Sequence, residues 1–176
     1  MGNSSGIHNT ILDVIGQTPI VKLHRLSRDL RCEVYAKLEN LNPGGSHKVR
    51  IALAMIQDAE KRGVLRRGSG QVILEPSGGN TGIGLAMVGA LYGYRVILVI
   101  PDNYSPEKQA VLRLYGAEII LSDSKRGNNS HGEMAMEILP KDRPSGHDIS
   151  KQQLSWRNGD GDPARESALR HAQPAA

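Results

Sequence analysis

Residues 71–100 read QVILEPSGGNTGIGLAMVGALYGYRVILVI. The first four make a strand, which breaks at Glu75-Pro76 into a glycine-rich turn. From Asn80 to Leu91 the residues are small and apolar, as in a helix packed closely on its neighbours, and Gly93 follows as its stop. Residues 95–100 are almost uninterruptedly apolar and end at Pro101, the pattern of a parallel strand buried on both faces. Strand, turn, helix and strand in that order make one unit of a parallel sheet with a helical crossover.

Reading outward, the same alternation continues on both sides. Residues 46–62 form a helix, because Ala52, Met55, Ile56 and Ala59 recur at helical spacing while Gln57, Asp58, Glu60 and Lys61 face out. Ser46 is its expected N-cap and Gly63 its stop. Short strands are expected at 19–23 and 33–38. Downstream, Ser105-Pro-Glu caps a helix running to 115, with Pro106 at its first position and Gly116 closing it. A strand at 117–121 and an amphipathic helix at 130–139 complete the pattern. Residues 1–140 are therefore read as an α/β region: a three-layer, open, mainly parallel sheet with helices on both faces. Residues 141–176 contain nine residues of the hydrophobic set, five of them Ala, too few to offset the entropy of ordering. They are expected to be a disordered or foreign tail, with a short helix near 163–171.

Composition narrows the function. The 176 residues carry Lys+Arg 22 and Asp+Glu 18, a net +4 spread along the chain, which makes no argument for nucleic acid. With no Phe and one Trp there is no stacking platform for single strands. The lone Cys32 excludes an internal disulfide and a multi-thiolate metal site, and reads as a small half-buried residue beside a strand. His131, His147 and His171 are not at metal-ligand spacing, so no metal is expected. No apolar run approaches the ~20 residues that span a bilayer. The leading MGNSSGIHNT lacks the basic and then apolar regions of a signal peptide, so a cytoplasmic protein is expected.

Two turns fall where open parallel sheets bind ligands, beyond the carboxyl ends of the strands. The first, Asn42-Pro-Gly-Gly-Ser-His-Lys-Val-Arg50, puts Lys48 in the first turn of a helix, facing the positive end of the helix dipole. Arg50 adds like charge. Both effects disfavour the charged amine and make Lys48 a better carbonyl nucleophile, although an exposed helix-start lysine reads the same way. The second, Glu75-Pro-Ser-Gly-Gly-Asn-Thr-Gly-Ile-Gly84, offers helix N-terminal N–H groups to an anion, with Ser77, Gly78, Gly79, Asn80 and Thr81 around it. It fits neither G-x-G-x-x-G nor a Walker loop. Its glycines are also what close helix–sheet packing would require.

Together the two turns resemble the β-family of pyridoxal-phosphate enzymes, the tryptophan synthase β-like fold, and within it cysteine synthase and cystathionine β-synthase. The resemblance extends to DVIGQTPIVKL (13–23), VYAKLEN (34–40) and IPDNYSPEKQAVLRLYGAE (100–118), and covers roughly residues 11–143. It implies pyridoxal 5'-phosphate as cofactor. By that resemblance Lys48 holds the cofactor as a Schiff base and later moves the substrate α-proton. Asn80 meets the ring hydroxyl. Ser77, Gly78, Gly79, Asn80 and Thr81 form the loop that closes on the substrate carboxylate. The implied reaction is β-replacement or β-elimination on a serine-derived amino acid, for example O-acetylserine plus sulfide to cysteine, in a homodimer.

The chain departs from the family pattern in three ways. Val49 stands where the family usually has Asp, and Gly78 where it usually has Ser. Neither the glycine/threonine loop that holds the cofactor phosphate nor the hydroxyl that meets the pyridine nitrogen is found. The resemblance is thus to the N-terminal half of the fold, with impaired activity expected. A catalytically inactive half-domain acting as a binding module is the alternative, and an unrelated α/β phosphate- or nucleotide-binding protein is a third reading.

Overall fold

The computed structural model describes residues 6–138 and the backbone of 148–150. In chain order the elements are β1 (Ile20–Lys22), α1 (His24–Ser27), β2 (Tyr35–Lys37), α2 (Lys48–Lys61), β3 (Val72–Glu75), α3 (Asn80–Tyr92), β4 (Arg95–Pro101), α4 (Pro106–Leu114), β5 (Glu118–Ser122), α5 (Ser130–Ile138) and β6 (Asp148–Ser150). The central sheet has the order β5-β4-β3-β6 and all its pairs are parallel.

Its register shows why the apolar runs are continuous. Ile73 lies opposite Val96 and Leu98 opposite Ile119, and these four side chains face one core. Their neighbours Leu74, Ile97, Val99 and Ile120 point to the other face. The central positions of β3 and β4 are apolar one after another because both faces of the sheet are covered there. On one side α2, α3 and α4 supply Val49, Ala52, Ile56, Leu85, Val88 and Leu112. On the other, α5 supplies Ala135 and Met134. The result is the expected three-layer α/β arrangement, with the core centred on β3 and β4.

Local signals place the helix ends. Ser105 accepts the Lys108 N–H and Pro106 occupies the first turn of α4, as its sequence predicts. Helix α2 begins at Lys48 rather than Ser46. His47 is its helical N-cap residue, and Ser46 Oγ instead accepts the Lys48 N–H at 3.2 Å. Strands β1 and β2 pair antiparallel in a separate two-stranded ribbon instead of joining the parallel sheet. Cys32 is exposed, not half-buried.

The stretch 141–176, expected as a tail, contributes Asp148–Ser150 as the strand next to β3. Edge pairing uses backbone N–H and C=O groups and needs no apolar stripe, so composition does not report it. The rest of that stretch, including the helix expected near 163–171, lies outside the described residues, as does position 139.

Candidate functional site

The two turns meet on one rim of the sheet. Gly84, in the first part of α3, is the point of closest approach to α2. A Cβ there would lie 3.0 Å from Ala52 Cβ, 3.1 Å from Val49 Cα and 3.2 Å from the Lys48 carbonyl oxygen. Gly44, in the turn before Lys48, faces Ile83 Cγ2 in the same way at 3.5 Å. The start of α2 therefore abuts the start of α3 at the carboxyl ends of the parallel strands. Val49, one of the departures from the family pattern, is 1% exposed in this contact. A carboxylate in its place would be desolvated between two helices.

Lys48 is half-buried, and its ammonium has no hydrogen-bond or ion-pair partner among the described residues. The same holds for the side chains of Ser77, Asn80 and Thr81, of which Ser77 and Thr81 are half-buried and Asn80 exposed. Gly79 is the N-cap residue of α3, and no side chain caps that helix. Its first-turn N–H groups stay available, at the positive end of a 13-residue helix. Around them the turn is tightly folded: a Cβ on Gly82 would fall 2.1 Å from the Ser77 carbonyl oxygen. The turn thus has the close packing its glycines permit, and its polar side chains are left free of partners among the described residues.

Arg50 has another task than the one its position suggested. Its guanidinium turns onto Glu39, Nε to Oε2 at 2.8 Å and Nη2 to Oε1 at 2.7 Å, and also donates to the Gly16 carbonyl at 2.9 Å. It is not an uncompensated like charge beside Lys48. Glu39 further accepts Thr18 Oγ1–H at 2.8 Å and Asn42 Nδ2–H at 2.7 Å, and Asn42 Oδ1 accepts the Gly16 N–H at 2.8 Å. Led by the Arg50 hydrogen bonds, these contacts hold the Glu39 carboxyl at about 2. Thr18 and Asn42 are both buried. The knot closes the segment from Glu39 to Arg50 into a loop, with Lys48 inside it, and ties it to the chain at 16–18. Within that loop Gly44 and Gly45 sit at φ +78 and +74, where residues with a Cβ are strained. Sequence reading registered Arg50 but not its partner, because nothing local links positions so far apart.

At the far end of the same two helices, Arg67 forks onto Glu60 at 2.6 and 2.8 Å and stacks 3.5 Å from the centroid of Tyr92. Tyr94 donates to Glu60 at 2.8 Å. The C-terminal ends of α2 and α3 are thus linked through Arg67. Among the described residues, no group of three His, Cys, Asp or Glu side chains could hold a metal ion, and no helix is long and apolar enough to cross a membrane.

A parallel sheet whose rim presents an unpaired lysine beside an uncapped, glycine-built helix start defines a class, and comparison with known proteins agrees. The family model for pyridoxal-phosphate dependent enzymes matches residues 11–148, and the chain belongs to that family. Cysteine synthase B of Escherichia coli (strain K12) is 48% identical over 130 residues, covering 74% of this chain and 42% of that protein. Cystathionine beta-synthase of Apis mellifera is 51% identical over 121 residues, 68% of this chain and 24% of that one. The crystal structure of cysteine synthase from Entamoeba histolytica superposes with a TM-score of 0.76 at 33% identity, covering 86% of this chain and 45% of that one. The chain spans about half the length of the cysteine synthases it matches.

The donor set fits the family's cofactor on the side this chain builds. The Lys48 amine suits its aldehyde, the Asn80 carboxamide suits its ring oxygen, and neither is engaged elsewhere in the described structure.

Proposed function

We propose that this chain builds the lysine side of a cysteine-synthase-like site, which takes a serine-derived amino acid through β-replacement or β-elimination, as in the conversion of O-acetylserine and sulfide to cysteine. The observation that carries the proposal is the convergence of an unpartnered Lys48 with the unpartnered Ser77, Asn80 and Thr81 on abutting helix starts. Pyridoxal phosphate, when bound, supplies an electron sink for the substrate α-carbon.

The chain's own residues do the rest. Lys48 Nζ would hold the cofactor at its aldehyde carbon and, when free, would accept the proton from the substrate α-carbon. Asn80 Nδ2 would donate a hydrogen bond to the cofactor's ring oxygen. Ser77 Oγ, Gly78, Gly79, Thr81 Oγ1 and the free N–H groups of α3 hold the substrate carboxylate. The knot of Glu39 and Arg50 keeps the Lys48 loop in place while its side chain moves. Homodimeric assembly and a cytoplasmic location belong to the same reading.

Incubation with pyridoxal phosphate, borohydride reduction and peptide mapping tests the assignment. The label is expected on Lys48 and is lost in Lys48→Ala. Equal labelling of other lysines refutes it. Label on Lys48 without turnover of O-acetylserine would instead identify a binding module.

A further inference from the structure

Gly78 is a glycine for reasons of space. It is not among the residues at positive φ, so its backbone does not demand glycine. A Cβ there would lie 2.6 Å from Ile100 Cγ2 and 3.1 Å from both Cε1 and Cζ of Tyr104. Ile100 is fully buried in β4 and cannot retreat. The phenol end of Tyr104 therefore takes up the room beside the 77–81 turn that a side chain at 78 would fill.

Tyr104 arrives there from a different loop, the turn after β4. Because β3 and β4 are parallel, both turns open on the same rim. The ring is held in advance of any ligand. The Tyr104 N–H donates to the Pro101 carbonyl at 3.0 Å, its carbonyl accepts Gln109 Nε2–H at 2.9 Å, and the Lys108 ammonium sits 5.2 Å from the ring centroid. Its hydroxyl has no hydrogen-bond partner among the described residues and reaches solvent. An oriented phenol with a free O–H, set against a turn whose own polar side chains are free, is a binding group without its ligand.

We propose that the Tyr104 hydroxyl is a binding group for the carboxylate of the amino-acid substrate, and that Gly78 is the residue whose missing side chain admits it. The inference rests on the assignment of the 77–81 turn to that carboxylate, and it adds a specificity-determining residue which that assignment does not contain. The phenol O–H would donate to one carboxylate oxygen while the α3 N–H groups serve the other. Only a ligand that keeps its anion would gain from it.

Tyr104→Phe removes the hydroxyl and keeps the ring, so packing against Gly78 and Ile100 is untouched. In the full chain loaded with pyridoxal phosphate, the change in cofactor absorbance on titration reads the binding of L-serine and of L-serine methyl ester. Loss of one hydrogen bond to a charged group weakens L-serine binding by roughly 10-fold. The melting temperature, the borohydride label on Lys48 and the binding of the ester stay as in the wild type. Unchanged L-serine affinity overturns the proposal, and so does equal weakening of the ester or a marked fall in melting temperature. Absence of the Lys48 label in the wild type is a separate result: it removes the parent assignment, and this proposal with it.

Discussion

Replacing Gly82 by Ala reverses the sign that helix propensity alone predicts. Gly82 lies in the first turn of α3, and Gly→Ala in a helix interior is ordinarily worth about 1 kcal/mol of stabilisation. Here the added Cβ would stand 2.1 Å from the Ser77 carbonyl oxygen, a backbone atom that cannot rotate away. Relief requires moving the peptide that shapes the turn. Overpacking costs about 1–3 kcal/mol, and an overlap this deep against backbone belongs at the upper end, leaving a net loss of about 2 kcal/mol. For a chain of this size that is a fall of about 4–8 °C in melting temperature. Gly132→Ala is the matched control. Its Cβ would meet only the Asn129 side chain, Oδ1 nearest at 2.7 Å, and that exposed side chain can swing aside. It should gain up to about 1 kcal/mol. Thermal unfolding followed by far-ultraviolet circular dichroism reads both. A Gly82→Ala protein that melts at or above the wild type would show that the turn is not packed as described.

Glu39 couples the Lys48 loop to acidity. Its carboxyl is held at about 2 against an ordinary 4.5, so the knot's contribution is complete above about pH 4.5 and is lost as pH falls toward 2. The stability advantage of wild type over Glu39→Gln, measured by urea unfolding, should be constant at neutral pH and shrink through that window; an advantage independent of pH would contradict the assignment. Gln71 is buried and serves the Arg66 N–H at 2.8 Å and the Val64 carbonyl at 2.9 Å. Gln71→Leu strands both backbone groups and should cost about 1–3 kcal/mol in the same assay.

Most of the fold was legible because it rests on local signals. The buried strands β3 and β4, the caps at Ser105 and Pro106 and the stops at Gly63, Gly93 and Gly116 are each written within a few residues of where they act. What was not legible depends on partners distant in sequence or on backbone alone. The pairing of β6 with β3 uses main-chain groups, so a polar stretch can enter the sheet without an apolar pattern. The separation of β1 and β2 from the main sheet is a matter of which strands pair in space, and neither three-residue strand carries that in its own residues.

The candidate site divides along the same line. Lys48 and the 77–81 turn announce themselves because each lies in a short motif dense in glycine and polar residues. The residues that hold and shape the site do not. Arg50 lies two positions after Lys48 in sequence, where it reads as an electrostatic neighbour, yet its guanidinium goes to Glu39, 11 positions back, and to Gly16, 34 positions back. Gly78 reads as a lost hydroxyl until Tyr104, in the next loop along the rim, is seen filling the space beside it. In both cases the motif residue takes its meaning from a partner that the parallel sheet brings to the same edge. A substitution within the motif is therefore interpretable only together with the residue across the rim. At position 78 that residue is Tyr104: a side chain there would meet its ring at 3.1 Å, so the 77–81 turn and the loop after β4 form one surface and have to be read as one.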